Sequence, residues 1–292
     1  MKIDPKNQDK CLKIGHNPPE NLHTILGKKK PWRIMSSDKI DCKKYLHRIG
    51  FVGELRPDLK ALKSLHKNHL LAIPFENLDI HRKHKIILDI NALEKKILFN
   101  YRGGFCYELN GLFYALLREI GYPVKMVSAR VFDNNGVPGP EFDHMALIVS
   151  LADDWLVDVG FGENFLHPLK ISLNEIQKDP VGDFMIDRES DLYLRLNMRR
   201  TGEIELVSKY LFSQQSRELS DFQPQCDYLQ TSQKSEFTQK RFCSSATNDG
   251  RITLSDNNLK VTRNGRKTEQ KVSSEAEFDT FLWEKFQIKL AR

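Results

Sequence analysis

The segment Arg102-Gly103-Gly104-Phe105-Cys106-Tyr107-Glu108-Leu109-Asn110, continuing to Ile120-Gly121-Tyr122-Pro123, marks the point where the chain changes its periodicity. Phe105, Leu109, Leu112, Phe113, Leu116, Leu117 and Ile120 recur at i, i+4, i+7 and i+8. That stripe predicts a half-buried helix. Gly121 and Pro123 stand where such a helix stops. Upstream, Tyr45, Ile49, Leu59, Leu62, Leu65 and Leu70 predict two helices broken at Pro57-Asp58, with Pro74 ending the second. Residues 91–100 give another short one. Downstream, the period shortens to that of strands over 124–132, 145–151, 155–159 and 192–197, separated by Asn, Asp, Gly and Pro clusters. Strands at this spacing point to a barrel or a strongly curved antiparallel sheet. Residues 251–254 and 259–263 read as a hairpin and 275–286 as a last helix. The order is helices, then strands, then a small mixed unit.

Composition bounds the function. The chain has 292 residues, 40% of them apolar and 29% charged. This is ordinary globular usage, which excludes wholesale disorder and a fibrous repeat. Its length gives a prior of two domains. No apolar run approaches the roughly 18 residues of a membrane span, and the polar, lysine-rich start does not read as a secretory signal. The net charge is +6, and residues 1–38, which contain Lys28-Lys29-Lys30, carry most of that excess. They read as a poorly ordered basic extension. The remainder is near neutral, so no nucleic-acid partner is expected. Five cysteines, Cys11, Cys42, Cys106, Cys226 and Cys243, form no CxxC pair. No metal site or thioredoxin-like site is expected, and a reducing cytoplasm fits this usage.

Cys106 is in unusual company. It lies at the first turn of the predicted helix, where free N–H groups and the positive dipole end favour thiolate. The same groups suit an oxyanion on a sulfur-bound acyl group, and Gly103-Gly104 would let a substrate approach the backbone. A lone helical cysteine is more often a small buried hydrophobe, but Cys106 lies off the centre of the stripe. A thiolate needs an imidazole, and the imidazole needs an acceptor. His144 opens an apolar strand. Asp158 sits between Val157 and Val159, where a carboxylate is costly unless partnered. Taken singly, a satisfied core histidine and a solvent-facing aspartate explain these two better. A simple hairpin turning at Asp153-Asp154 would face His144 to residue 162 or 163 and Asp158 to residue 148 or 149. Their contact would then need a bulge, barrel closure or another strand order.

Residues 102–110 resemble the nucleophile segment of the arylamine N-acetyltransferases. Ile73-Pro74-Phe75-Glu76-Asn77-Leu78 is similar to their PFENL segment, and Leu156-Val157-Asp158-Val159-Gly160-Phe161-Gly162 to their aspartate segment. Tyr228-Leu229-Gln230-Thr231-Ser232, continuing to Phe242-Cys243-Ser244, also matches. Four segments in the right order are far more specific than one. The resemblance implies an α+β fold in three parts on a cysteine-protease-like core. These are a helical bundle over 39–122 carrying the nucleophile, an antiparallel β-barrel over 123–220 carrying the histidine and aspartate, and an α/β lid over 221–292. It implies a Cys106-His144-Asp158 triad. The implied chemistry is ping-pong acetyl transfer from acetyl-coenzyme A through an acetyl-cysteine to an arylamine or hydrazine. Phe75, Val131 and Phe161 would line the acceptor pocket. No metal is implied, and no coenzyme-contacting residue carries over; Lys234 and Ser235 read as a solvated loop. Glu76 and Arg102 would form a buried ion pair. Asp143, before the histidine, departs from the family's threonine or apolar residue. The alternatives are an amide-forming acyltransferase using another thioester donor, a cysteine hydrolase on the same triad, and a binding protein on this fold.

Overall fold

The computed structural model describes residues 39–163 and 165–290; the extension 1–38 lies outside the described residues. The first layer is helical. In α1 (Cys42–Arg48) and α2 (Leu59–Ala72) an aspartate starts each helix, Asp41 accepting from Lys44 N and Asp58 from Ala61 N. Such caps satisfy amides that have no partner within the helix. A two-residue strand β1 (Phe75–Glu76), α3 (Leu78–His81), α4 (Ile90–Glu94) and a π-helical turn over Lys95–Phe99 lead to α5 (Cys106–Ile120). Phe105 is extended and caps α5 from outside, and Gly121 ends it at φ 101°.

The two glycines before Cys106 have a packing reason. Glu76 N donates to Gly104 O at 2.9 Å, so β1 runs alongside this segment. A side chain at Gly103 would collide with the Pro74 carbonyl. The expectation that this pair opens the backbone to substrate gives way to a closer fit within the chain. The suspected ion pair is here too. Arg102 Nε donates to Glu76 Oε1 at 2.8 Å, and Arg102 Nη1 lies 3.0 Å from Asp79. Lys96 extends the chain of charges, 2.8 Å from both Asp79 and Glu108.

The second layer is an eight-stranded antiparallel sheet. It comprises β2 (Val124–Val131), β3 (His144–Ser150), β4 (Asp154–Val157), β5 (Leu169–Lys170), β6 (Ile176–Asp179), β7 (Gly182–Arg188), β8 (Tyr193–Arg200) and β9 (Val207–Ser213). The order is β5-β4-β3-β2-β9-β8-β7-β6. Side chains bridge its two edges. The Gln177 amide donates to Lys170 O and accepts from Lys170 N, both at 2.8 Å, and Asp179 accepts from Leu166 N and His167 N at 3.0 Å. The result is a nearly closed barrel. Alternation splits its residues: Val127, Ala146, Ile148 and Leu156 point into the barrel, whereas Met145, Leu147, Val149 and Val157 join the core around α5.

The hairpin β3–β4 pairs Leu147 with Val157 and Ser150 with Asp154. Its turn is therefore centred at Ala152, before the expected Asp153-Asp154. Continued by one step, this register faces Asp158 to Ala146, diagonally adjacent to His144 on the same face. A plain hairpin delivers the contact, and neither a bulge nor another strand order is needed.

The third layer follows a 3-10 turn at Leu219–Phe222, α6 (Gln223–Thr231) and α7 (Glu236–Gln239). β10 (Phe242–Thr247), β11 (Gly250–Ser255), β12 (Asn258–Arg263) and β13 (Arg266–Lys271) form a sheet whose first strand is β1. Phe75 pairs with Ser244 and Glu76 with Cys243. Phe278, Phe281, Leu282 and Phe286 of α8 (Glu275–Phe286) cover this sheet. Ser235 is buried and caps α7 through Phe237 N, which corrects its reading as a solvated loop residue. No described helix is long and apolar enough to cross a membrane.

Candidate active site

Cys106 is the first residue of α5 and is 4% exposed. The Met145 N–H donates to its sulfur. Met145 follows His144, so the thiol meets β3 at its first residues. Gly160 lies directly over the Cys106 backbone; a Cβ on Gly160 would come within 2.8 Å of Cys106 Cα and O. The loop after β4 can approach the helix so closely only with glycine at that position.

His144 Nε2 lies 2.8 Å from Asp158 Oδ2, and both side chains are buried. The contact has the Nε2–H of His144 donating to the carboxylate and leaves Nδ1 as the second nitrogen of the ring. Asp158 is fully satisfied. Its Oδ1 accepts from Asn110 Nδ2 at 2.9 Å and from Gly160 N at 3.0 Å, and its Oδ2 also accepts from Tyr210 OH at 3.0 Å. Burial alone would push this carboxyl up. His144, Asn110 and Gly160 outweigh burial and hold it below the ordinary aspartate value.

The nucleophile candidate behaves differently from expectation. Burial pushes the Cys106 thiol well above its ordinary value, Asp143 raises it further, and the Met145 N–H pulls the other way. The expected lowering by the helix N-terminus does not prevail. The same end of the helix carries Glu108, whose Oε2 accepts from Phe105 N at 3.1 Å, and it faces Asp143. Asp143 opposes the positive end of the dipole, while Glu108 is held by Lys96. Loss of the thiol proton to solvent is therefore disfavoured. Transfer to a neighbouring base keeps the net charge of the site constant.

Of the other expected residues, Phe161 meets the His144 ring edge-on at 5.1 Å and Tyr210 at the same spacing. Phe75 stacks on Phe242 at 5.5 Å. Val131 is half-buried in the barrel wall, paired with Tyr210. Asn110, Tyr210 and His66 are the supporting residues that the sequence reading misses. His66, on α2, donates from Nδ1 to Leu166 O at 3.0 Å and accepts from Asp158 N at 3.2 Å. Asn110 carried a signal, since it lies one turn beyond Cys106 inside the quoted segment. A cavity of about 590 Å³ is lined by Asp79, Arg82, Lys85, Lys96 and Glu108, and none of Cys106, His144 and Asp158 lines it. Among the described residues no group of three or more His, Cys, Asp or Glu could hold a metal ion.

Comparison with known proteins places the chain in a family. A family profile described as N-acetyltransferase matches residues 58–292. An arylamine N-acetyltransferase isozyme of the Gallus gallus pineal gland is 30% identical over 277 residues, covering 87% of this chain and 96% of that protein. A Salmonella typhimurium protein named arylamine N-acetyltransferase / N-hydroxyarylamine O-acetyltransferase is 40% identical over 140 residues, 47% of this chain and 50% of that one, so the match spans about half its length. The solved structure of a Bacillus cereus arylamine N-acetyltransferase, described as having a unique Cys-His-Glu catalytic triad, aligns with a TM-score of 0.79 at 27% identity. It covers 88% of this chain and 100% of that one. A cysteine at the head of α5, a histidine at the head of β3, an aspartate just after β4 and these matches lead to one statement: this chain belongs to the arylamine N-acetyltransferase family.

Proposed function

We propose that this protein moves an acetyl group from acetyl-coenzyme A to an arylamine or hydrazine by a ping-pong route through Cys106. The observation that carries the reading is the buried His144–Asp158 pair, 2.8 Å apart, reached by the Cys106 thiol through the Met145 amide. The thiol proton passes to His144 Nδ1, and Asp158 stabilises the imidazolium through Nε2. The sulfur then bonds the thioester carbonyl carbon. The bond to the coenzyme sulfur breaks, and that sulfur takes the proton back from His144. Acetyl-Cys106 remains. The acceptor nitrogen attacks the same carbon, His144 takes its proton, and the carbon–sulfur bond to Cys106 breaks. The proton returns to the cysteine. In this scheme a raised thiol pKa is no obstacle, because the proton never leaves for solvent.

Phe161 against the imidazole, Phe75 on the neighbouring sheet edge and Val131 on the barrel wall are the proposed acceptor-lining residues. The organisation we propose is 39–122 for the helical part, 123–220 for the barrel and 221–292 for the lid, with β1 lent to the lid sheet. A cytoplasmic setting is supported by Cys106, Cys226 and Cys243, which form no disulfide among the described residues. The test is intact-protein mass after brief mixing with acetyl-coenzyme A and no acceptor. Wild type gains one acetyl group that an aromatic amine discharges, and Cys106→Ala gains none. An unmodified wild type would move the reading to another thioester donor or to hydrolysis.

A further inference from the structure

Two cations beside this site lack carboxylate partners. Lys209, on β9, and Arg251, on β11, are half-buried. Among the described residues neither forms an ion pair within 4 Å. The acid that both feel is Glu163, on the loop that follows the triad aspartate. Arg200 already occupies that acid in a two-pronged pair, at 3.1 and 2.8 Å. Arg251 Nη1 donates to a neutral partner, Ser244 Oγ, at 2.8 Å. Lys209 Nζ lies over the Phe161 ring at 5.6 Å. Desolvation, with Arg200, pulls Lys209 below its ordinary value against Glu163 and Glu203, and desolvation brings Arg251 down to about 10 against Glu163. Desolvated cations whose shared acid is already gripped by a third cation are costly, and an anion would complete them.

Their position gives this charge a use. The Phe161 ring under Lys209 also meets the His144 ring edge-on, so the ammonium and the imidazole share one aromatic neighbour. Arg251 reaches Ser244, the residue that pairs with Phe75. Both cations thus flank the two aromatic residues beside the triad, one from the barrel and one from the C-terminal sheet. The geometry points to Lys209 and Arg251 as an anion-recognition subsite, which holds a phosphate or carboxylate group of a substrate engaged at Cys106. This rests on the acyl-transfer reading above. The anion has two possible sources, the phosphates of the donor coenzyme or an acid group on the acceptor ring. Cations placed to hold a charged group remote from the reacting carbon would fix the substrate's orientation without entering the chemistry.

Binding and turnover test this separately. Inorganic pyrophosphate and benzoate are titrated by calorimetry into the full-length unacetylated protein. At least one binds wild type, and Lys209→Met and Arg251→Met each weaken it tenfold or more, whereas Lys209→Arg and Arg251→Lys retain it. A donor source shows as a tenfold rise in KM for acetyl-coenzyme A in the methionine variants, with an acetyl thioester of N-acetylcysteamine unaffected. An acceptor source shows as the same rise for 4-aminobenzoate, with a neutral aniline unaffected. Failure of both anions to bind wild type, or equal binding by wild type and both methionine variants, overturns the subsite. The acetyl-cysteine mass on wild type reports the acyl-transfer reading independently, whichever way the titrations fall.

Discussion

Asn110 Nδ2 donates to Asp158 Oδ1 at 2.9 Å from a place one helical turn beyond Cys106. The same nitrogen donates to Met145 O at 2.6 Å, and Asn110 Oδ1 accepts from Val159 N at 2.9 Å. One amide thus ties the nucleophile helix to the strand of His144 and the loop of Asp158. Asn110→Ala leaves a buried carboxylate oxygen, a carbonyl and an amide short of a partner. Each unsatisfied group costs about 1–3 kcal/mol. We expect chemical denaturation to show a loss of about 3 kcal/mol or more. Acetylation of Cys106, followed by rapid-quench mass measurement, should slow at least about tenfold, since roughly 1.4 kcal/mol at the transition state is already tenfold. Wild-type stability in this variant would mean that the helix holds the pair without the amide.

The Glu76–Arg102 pair joins β1, and through it the C-terminal sheet, to the segment that precedes Cys106. Glu76 is fully buried and also accepts from Leu78 N at 2.8 Å. Breaking a buried pair by removing one charge typically costs about 3–5 kcal/mol. Arg102 keeps Asp79 as a second partner, so Glu76→Gln is expected at the lower end, about 3 kcal/mol in urea unfolding. Asp79→Asn removes a more exposed carboxylate and should cost less. An unchanged unfolding midpoint for Glu76→Gln would show that the pair adds nothing to stability.

These two cases also show what a sequence can reveal. α5 is legible because its apolar stripe is unbroken, and β3 because six of its seven residues are buried. β13 is exposed at every position, Arg266 to Lys271, so it carries no alternation and is invisible before its partner is known. β1 is two residues long and pairs with a strand far along the chain, a non-local fact that no local pattern encodes. In the site, Asp158 announces itself as a carboxylate between two valines. Tyr210 lies in a Tyr-Leu-Phe run that reads as ordinary core, and its hydroxyl contact with Asp158 depends on how β9 lies beside β2. The hairpin register failed by a few positions because its turn is centred at Ala152, with Asp154 already in the strand. A turn chosen on composition alone misplaces every residue opposite it.

Asp143 is the residue that departs from the family pattern, and it acts on the thiol. Its carboxylate raises the Cys106 pKa, while burial raises its own carboxyl, opposed by His144. Asp143→Asn removes the negative charge and lowers the cost of forming thiolate. The expected result is a shift of the iodoacetamide pH–rate profile of Cys106 to lower pH. At a fixed neutral pH the rate should rise about fivefold, as roughly 1 kcal/mol of charge interaction gives. A profile that does not move, or one that moves to higher pH, would remove Asp143 from the account of the thiol.

His66 gives the site an acid limit through the fold. Its ring is fully buried, stacked on Phe165 at 5.5 Å, with Nδ1 donating to Leu166 O and Nε2 accepting from Asp158 N. Desolvation brings its pKa down to about 4, against opposing pulls from the Leu166 carbonyl and the Asp158 charge. An unfolded histidine takes its proton near 6.5. Between these values the unfolded chain binds more protons than the folded one, so stability rises with pH and falls on acidification. The loss begins below about pH 6.5 and is complete near pH 4, where it amounts to about 3 kcal/mol. Urea unfolding at pH 7, 5.5 and 4 should show wild type losing more stability than His66→Asn by about that amount, even though the variant is weaker at pH 7. Parallel pH curves for the two proteins would exclude His66 as the group responsible. Protonation at Nε2 also replaces the bond from the Asp158 amide with one to the Asp158 carbonyl, 3.1 Å away, so the backbone that carries Asp158 changes its hydrogen bonding to α2 in the same pH range. Cys106 acetylation at pH 5 should therefore fall in wild type before the protein unfolds, with secondary structure still intact by circular dichroism.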